Sequence, residues 1–204
     1  ELSRPTVRQA IAELVSEGLL VIMKGKGTFV KDEPVRTNIT NFSAFTYSFL
    51  TGQSLDNKHF IDYSIAESLP AEVQAVFDLN KSGNERGFYE IVWTEQVDKK
   101  AFVYIHSYIP VAMFPGLIED IRSRKRMIDI TANKYPLIPN RANWRMLVRP
   151  STTDEARVLD ISKGVSVIHS EAAYQSRSGN YCEVSVAVIQ AESCVMLYET
   201  SSYK

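Results

Sequence analysis

The sequence predicts an α+β protein built in two parts, and three observations carry that expectation. A capped helix runs into a glycine-tipped hairpin within the first thirty residues. Two strongly β-forming segments, 88–97 and 101–109, are separated only by Asp98-Lys-Lys100, which makes an antiparallel hairpin the natural pairing. Further strand-like segments alternate with short helical ones, not with the long helical crossovers of a parallel sheet.

The first element is a helix. Ser3 is a strong N-cap, because its hydroxyl accepts from the orphan amides of the first turn. Pro5 falls where a missing N–H costs nothing. Val7, Ala10, Ile11 and Leu14 recur at helical spacing and form a stripe expected to be buried. Gly18 suits the left-handed residue that ends such a helix. Outside the stripe lie Arg4, Thr6, Arg8 and Gln9. Guanidinium forks match guanine O6/N7 or phosphate, and threonine contacts phosphate or a thymine methyl. Residues 19–23 and 28–30 read as short strands joined by Lys24-Gly25-Lys26-Gly27. Those glycines supply positive φ, let the backbone approach a ligand, and sit between lysines placed for phosphate or the minor groove. The plainer alternative is a helix and an ordinary hairpin with a solvated basic face.

The net charge of −1 is unevenly spread. Residues 1–31 hold five Lys/Arg against three acids, +2, and the remaining 173 residues hold 18 against 21, −3. The basic end is therefore the part expected to touch phosphates. No apolar run approaches the ~20 residues of a membrane span, and no secretory leader is visible. Cys182 and Cys194 lie in apolar stretches without CxxC spacing, favouring free thiols and a cytoplasmic setting. His59, His106 and His169 are scattered, so no metal and no cofactor is expected.

Residues 31–40 are polar, mixed in charge and broken by Pro34, and read as a linker. A short amphipathic helix is expected through Phe42, Phe45, Phe49 and Leu50 to Gly52, then a strand over 58–65 and a helix over 71–79. After the 88–109 hairpin, Pro110 ends the strand. Pro115-Gly116 opens a helical region expected to continue through 127–135, and 143–148 is the next strand. Thr152-Thr-Asp-Glu155 is a capping box ahead of a short helix. Strands near 165–175, 181–189 and 195–200 close the chain, giving an antiparallel α+β domain of about 160 residues.

Taken together, Ser-Arg-Pro-Thr-Val-Arg, Glu-Gly-Leu-Leu and Lys-Gly-Lys-Gly-Thr-Phe-Val resemble the winged-helix signature of the GntR family of bacterial transcription regulators. A winged helix has two more helices ahead of Ser3, so the resemblance implies that the domain here is N-terminally truncated. Beyond residue 41, three stretches are similar to the UTRA effector-binding domain of the HutC subfamily, which has a chorismate-lyase-like fold. They are Phe42 to Gly52, Tyr108-Ile-Pro-Val-Ala-Met-Phe-Pro-Gly-Leu117, and Gly179-Asn-Tyr-Cys-Glu-Val-Ser185. The expected organisation is a partial winged helix-turn-helix at 1–31, a linker at 32–41, and an effector-binding and dimerisation domain at 42–204.

The resemblance implies a homodimeric, cytoplasmic, DNA-binding regulator, a repressor by family habit. Its affinity for double-stranded operator DNA answers to a small-molecule effector. Its DNA contacts are expected at Ser3, Arg4, Thr6, Arg8, Lys24, Gly25 and Lys26. The effector site departs from the family pattern. Where relatives that bind phosphorylated sugars place Arg-x-Arg, this chain has Trp93-Thr94-Glu95. Ile105, beside His106, replaces an acid, Arg126 a small hydroxyl residue, and Ile189 an aromatic. Glu183 alone keeps the acidic contact. A sugar phosphate is thus disfavoured, and Glu183, Trp93, Glu95, His106 and Arg126 are the candidate effector contacts. Each has a plain alternative: Trp93 as core, Glu95 and Arg126 as solvated charges. Two other functions remain: a regulator whose sensor domain takes no ligand, and an enzyme of the lyase-like fold. The sequence offers no Ser/His/Asp or Cys/His order, metal cluster or phosphate loop for the latter.

Overall fold

The computed structural model describes residues 3–31, 35–38, 45–46, 58–78, 87–97, 99–123 and 138–197. The chain divides into two compact units, Glu1–Val35 and Arg36–Lys204.

In the smaller unit, helix α1 (Arg4–Ser16) starts where the cap residue dictates: the Ser3 side chain accepts from the Thr6 amide. It ends in a Schellman arrangement, with Gly18 at φ +76°, its N–H donating to Val15 O and that of Leu19 to Leu14 O. Strands β1 (Leu20–Met23) and β2 (Gly27–Val30) pair antiparallel, Met23 facing Gly27 across the turn. Gly25 and Gly27 hold φ of +78° and +129°, as the tight turn requires. The apolar stripe does not behave as expected. Val7 is 44% and Leu14 38% exposed, no side chain of α1 is buried, and of the stripe only Ile11 is half-buried.

The larger unit is built on a six-stranded antiparallel sheet in the order β4-β5-β6-β9-β8-β7. Its strands are β4 (Lys58–Ile65), β5 (Phe88–Val97), β6 (Lys100–Pro110), β7 (Pro139–Pro150), β8 (Ser166–Ser176) and β9 (Tyr181–Gln190). The β5–β6 hairpin turns through Lys99 at φ +65°. β7 runs several residues past the expected 143–148 at both ends, in register with β8 throughout apart from one irregularity. Two short strands pair separately, β3 (Val35–Asn38) with β10 (Cys194–Leu197). Part of the stretch read as a linker is therefore a strand; its partner comes from the far end of the chain, beyond the reach of a local pattern.

Helices α2 (Ala71–Asp78) and α4 (Thr153–Leu159) cover one face of this sheet. Val73 and Phe77 of α2 pack on Phe88, Tyr108, Ala173 and Val184, and Leu159 of α4 packs on Val167 and Val188. The capping box of α4 is present, Thr152 and Glu155 each holding the other's backbone amide. Arg149 grips the same Glu155 through two nitrogens at 2.6 and 2.8 Å, holding its carboxyl at about 2, below the ordinary 4.5. On the opposite face lie α3 (Leu117–Arg122) and the helical residues Phe45 and Thr46. There Gly116 N donates to the Tyr89 hydroxyl, and the Phe45 ring meets Phe60 edge-on at 5.8 Å. The rest of the helix expected to Gly52, the continuation through 127–135, and residues 198–200 of the last strand lie outside the described residues.

Candidate functional site

Two places carry chemistry. The first is the α1–hairpin unit. Arg4, Thr6 and Arg8 are all exposed, as are Lys24, Gly25 and Lys26 at the hairpin tip. Neither guanidinium and neither lysine has a hydrogen-bond or acidic partner among the described residues. Unpaired guanidinium donors on a surface cost nothing in water and remain available to an anion or a base edge. Ser3 and Thr6 act partly on each other: their hydroxyls lie 2.8 Å apart, fixing the helix start from which Arg4 and Arg8 project. Gln9 donates to Glu13 at 3.2 Å, which occupies that acid along the helix.

The second place is the sheet face carrying Trp93. Side chains of successive strand residues alternate between faces, and the register sorts the candidates. Trp93 lies opposite Ile105, and Ile105 opposite Ala187; Tyr174 lies opposite Glu183. Trp93, Glu95, Ile105, Glu183 and Ile189 thus share one face. Val92 lies opposite His106, and His106 opposite Val186. His106 is therefore on the other face, where its Nδ1 lies 2.7 Å from Glu90, which also accepts from the Tyr108 hydroxyl at 2.9 Å. One residue of strand separates Ile105 from His106, and that is enough to part His106 from the rest. Arg126 lies outside the described residues.

Glu183 is fully buried and completely engaged. It accepts from Phe45 N at 2.9 Å, Thr46 N at 2.8 Å, Thr46 Oγ1 at 2.7 Å and Ser107 Oγ at 2.8 Å. Burial pushes its carboxyl above the usual range, and the Thr46, Phe45 and Ser107 donors pull it back. Trp93, equally buried, donates from Nε1 to Ser107 Oγ at 3.1 Å, so one chain of bonds runs Trp93–Ser107–Glu183–Thr46. Lys58 Nζ stands 4.2 Å over the Trp93 ring and 2.6 Å from Glu95 Oε1.

Beside this chain of bonds is a cavity of about 50 Å³. Of the expected contacts, only Glu95 lines it. Ile105 and Ile189, at positions where the family pattern is lost, line it too. Sequence reasoning missed Trp144, Ser170 and Tyr174, which also border it, and Lys58 and Ser107 behind it. Their one advance signal is strand alternation on β7 and β8, which places them on a face without saying that the face is hollow. The Tyr174 hydroxyl bonds to Ser185, and burial raises the Tyr174 and Cys182 groups far above their ordinary values. Both cysteines are free thiols. Among the described residues, no cluster of His, Cys, Asp and Glu has the makings of a metal site, and no helix is long and apolar enough to cross a membrane.

Comparison with known proteins joins the two places. The profile of the UTRA domain matches residues 59–194, and that of the bacterial regulatory proteins of the gntR family matches residues 1–30. The HTH-type transcriptional repressor NagR of Bacillus subtilis (strain 168) is 27% identical over 192 residues, 94% of this chain and 76% of that protein. The mannosyl-D-glycerate transport/metabolism system repressor MngR of Escherichia coli (strain K12) is 26% identical over 165 residues, 79% of this chain and 65% of that protein. In fold, the chain is similar to the crystal structure of PhnF from Mycobacterium smegmatis. The TM-score is 0.64 at 15% identity, over 99% of this chain and 87% of that one.

Proposed function

We propose, because this chain belongs to the GntR family of bacterial regulatory proteins and carries their UTRA domain, that it reads double-stranded operator DNA with α1 and the β1–β2 wing and senses a small metabolite in the cavity beside Glu95. DNA-binding transcription regulation is the function of the family and of the repressors it resembles. Finer assignments are ours. Residues 1–31 form the reading part, 32–41 connect it, and 42–204 sense and dimerise. Arg4, Thr6 and Arg8 enter the major groove from a start fixed by Ser3, while Lys24, Gly25 and Lys26 meet the backbone or minor groove. The protein acts as a cytoplasmic homodimer that represses until ligand releases it, and it performs no catalysis.

The observation that carries this reading is a pair of exposed arginines, without a partner among the described residues, on a capped helix that runs straight into a glycine-tipped basic hairpin. Control follows from linkage: a ligand that prefers one arrangement of the sensor changes operator affinity by the coupling it feels itself. Glu183 gives that coupling a material route, because a group on the cavity's sheet face holds the backbone of residues 45 and 46, just past the connecting segment. The test is operator-binding anisotropy with and without a metabolite pool, joined to hydrogen exchange. The pool is expected to weaken operator binding and change exchange across 31–52. Unchanged exchange there would refute the route.

A second reading has its own observation. Glu183, the acidic contact the family pattern keeps, is sealed from solvent by four donors, as in a regulator whose sensor takes no ligand. A thermal-shift screen of sugars, amino acids and organic acids in which nothing raises the midpoint would favour it.

A further inference from the structure

We propose that the protein has a second small-molecule site, on the sheet face away from Glu95: the groove between α2 and the edge strand β7, which binds a compact amine with an apolar body. The hollow there measures about 220 Å³. An apolar cavity of roughly 150 Å³ already takes a benzene-sized ring, so a ring with a short side chain has room. Strand register fixes which residues face the groove. Glu171 lies opposite Arg145 and Val186, and Ala173 opposite Asn143 and Val184. These residues share the face on which α2 packs, which is the face of His106 and not that of Glu183.

The floor is apolar. Ala173 and Val184 belong to the cluster beneath α2, Val76 and Tyr181 pack half-buried at its margin, and all four line the groove. The walls are charged and unbalanced. Glu72 of α2 stands on one side and Glu171 with Arg145 on the other, so the described lining carries two acids against one base. That field draws in a cation and turns away an anion. The bonding of Glu171 is loose enough to admit the cation. A single nitrogen of Arg145 reaches both carboxylate oxygens, at 3.1 and 3.3 Å, and His169 Nε2 stands 3.4 Å away. Charge-assisted contacts ordinarily close to about 2.7–2.9 Å, as those of Arg149 on Glu155 do at 2.6 and 2.8 Å. The Glu171 side chain is 19% exposed but that of Arg145 is 70% exposed, and an ion pair with so free a partner holds weakly. A ligand ammonium, with its donors in one small head, displaces Arg145 from Glu171 while its body covers the floor.

Phenethylamine, phenethyl alcohol and hydrocinnamate share one body and differ in charge. Each is titrated against the full chain by ligand-observed NMR at millimolar concentration. The amine is expected to bind at least about tenfold more tightly than the alcohol, the worth of one hydrogen bond to a charged group, and the carboxylate more weakly than either. Glu171→Gln is expected to weaken the amine by about that factor and leave the alcohol unchanged. Arg145→Ala frees Glu171 and is expected to tighten the amine, a gain that damage to the fold would not produce. Glu95→Gln, in the cavity of the other face, is expected to change nothing. The proposal is overturned by an alcohol or carboxylate that matches the amine, or by an amine that does not bind. It is equally overturned by an amine affinity that Glu171→Gln leaves unchanged, that Arg145→Ala fails to raise, or that Glu95→Gln abolishes. The groove stands apart from the cavity beside Glu95, so its failure leaves the regulatory reading intact.

Discussion

Residues 3–31 and the six-stranded sheet solve opposite problems with polar groups. In the first, Arg4, Arg8, Lys24 and Lys26 stand exposed and without a partner among the described residues, and each is a neighbour in sequence of the cap or turn that positions it. In the second, groups of the same chemical types are closed on one another. Trp93 meets Ser107 fourteen residues on, and Glu183 meets Phe45 across 138. An open group is available to a partner, whereas a closed group holds the fold. The comparison teaches that an acid or an aromatic on a sheet face says little about ligand contact until its own partners are counted. Glu183 and Trp93 have the residue types of a binding site and the bonding of a core.

The largest effect expected from this contrast is at Glu183. Glu183→Ala strands four buried donors, each worth about 1–3 kcal/mol when left unmade, so the unfolding free energy of the sheet unit, measured in urea, is expected to fall by at least about 3 kcal/mol. A loss under 1 kcal/mol would erase the distinction between closed and open groups. Next come the open ones. Arg4→Ala and Arg8→Ala are each expected to weaken operator binding by about 1–3 kcal/mol with relaxed base preference, measured by anisotropy, and to leave the urea midpoint where it was. Thr152→Ala removes half of a capping box and is expected to cost about 1 kcal/mol of stability. The pH dependence of the same corner sharpens the point. Glu155 has a folded value of about 2 against an ordinary 4.5, chiefly through Arg149. Its contribution is therefore full above about 4.5 and lost as pH falls toward 2. Arg149→Ala is expected to flatten acid unfolding in that window, read by circular dichroism. The smallest effect is Lys24→Ala, expected to weaken DNA binding evenly across sequences and to lower the salt slope by about one.

Much of this was legible in the sequence. Ser3, Pro5 and Gly18 bound α1, the two glycines at 25 and 27 place the wing turn, and Thr152 with Glu155 starts α4, because caps and turns are local chemistry. The central strands followed from alternation. What stayed hidden is long-range. The β3–β10 pairing joins two segments more than 150 residues apart, so 35–38 reads as linker. The parting of His106 from Trp93 depends on a one-residue register, and the hollow beside Glu95 depends on which side chains stop short of meeting. The buried stripe expected of α1 failed for a related reason: helical spacing shows which side must be covered and not what covers it.

Everything proposed for the sheet domain matters to regulation only if the open arginines read DNA. The direct measurement is selection of duplexes from a random-sequence pool by the full chain, followed by titration of the enriched sequence with the parent and with an Arg4→Ala, Arg8→Ala double variant. One enriched motif bound by the parent is expected, with the double variant weakened by at least about thirtyfold and its fold intact. No enriched motif, or a double variant that binds it as the parent does, would contradict it.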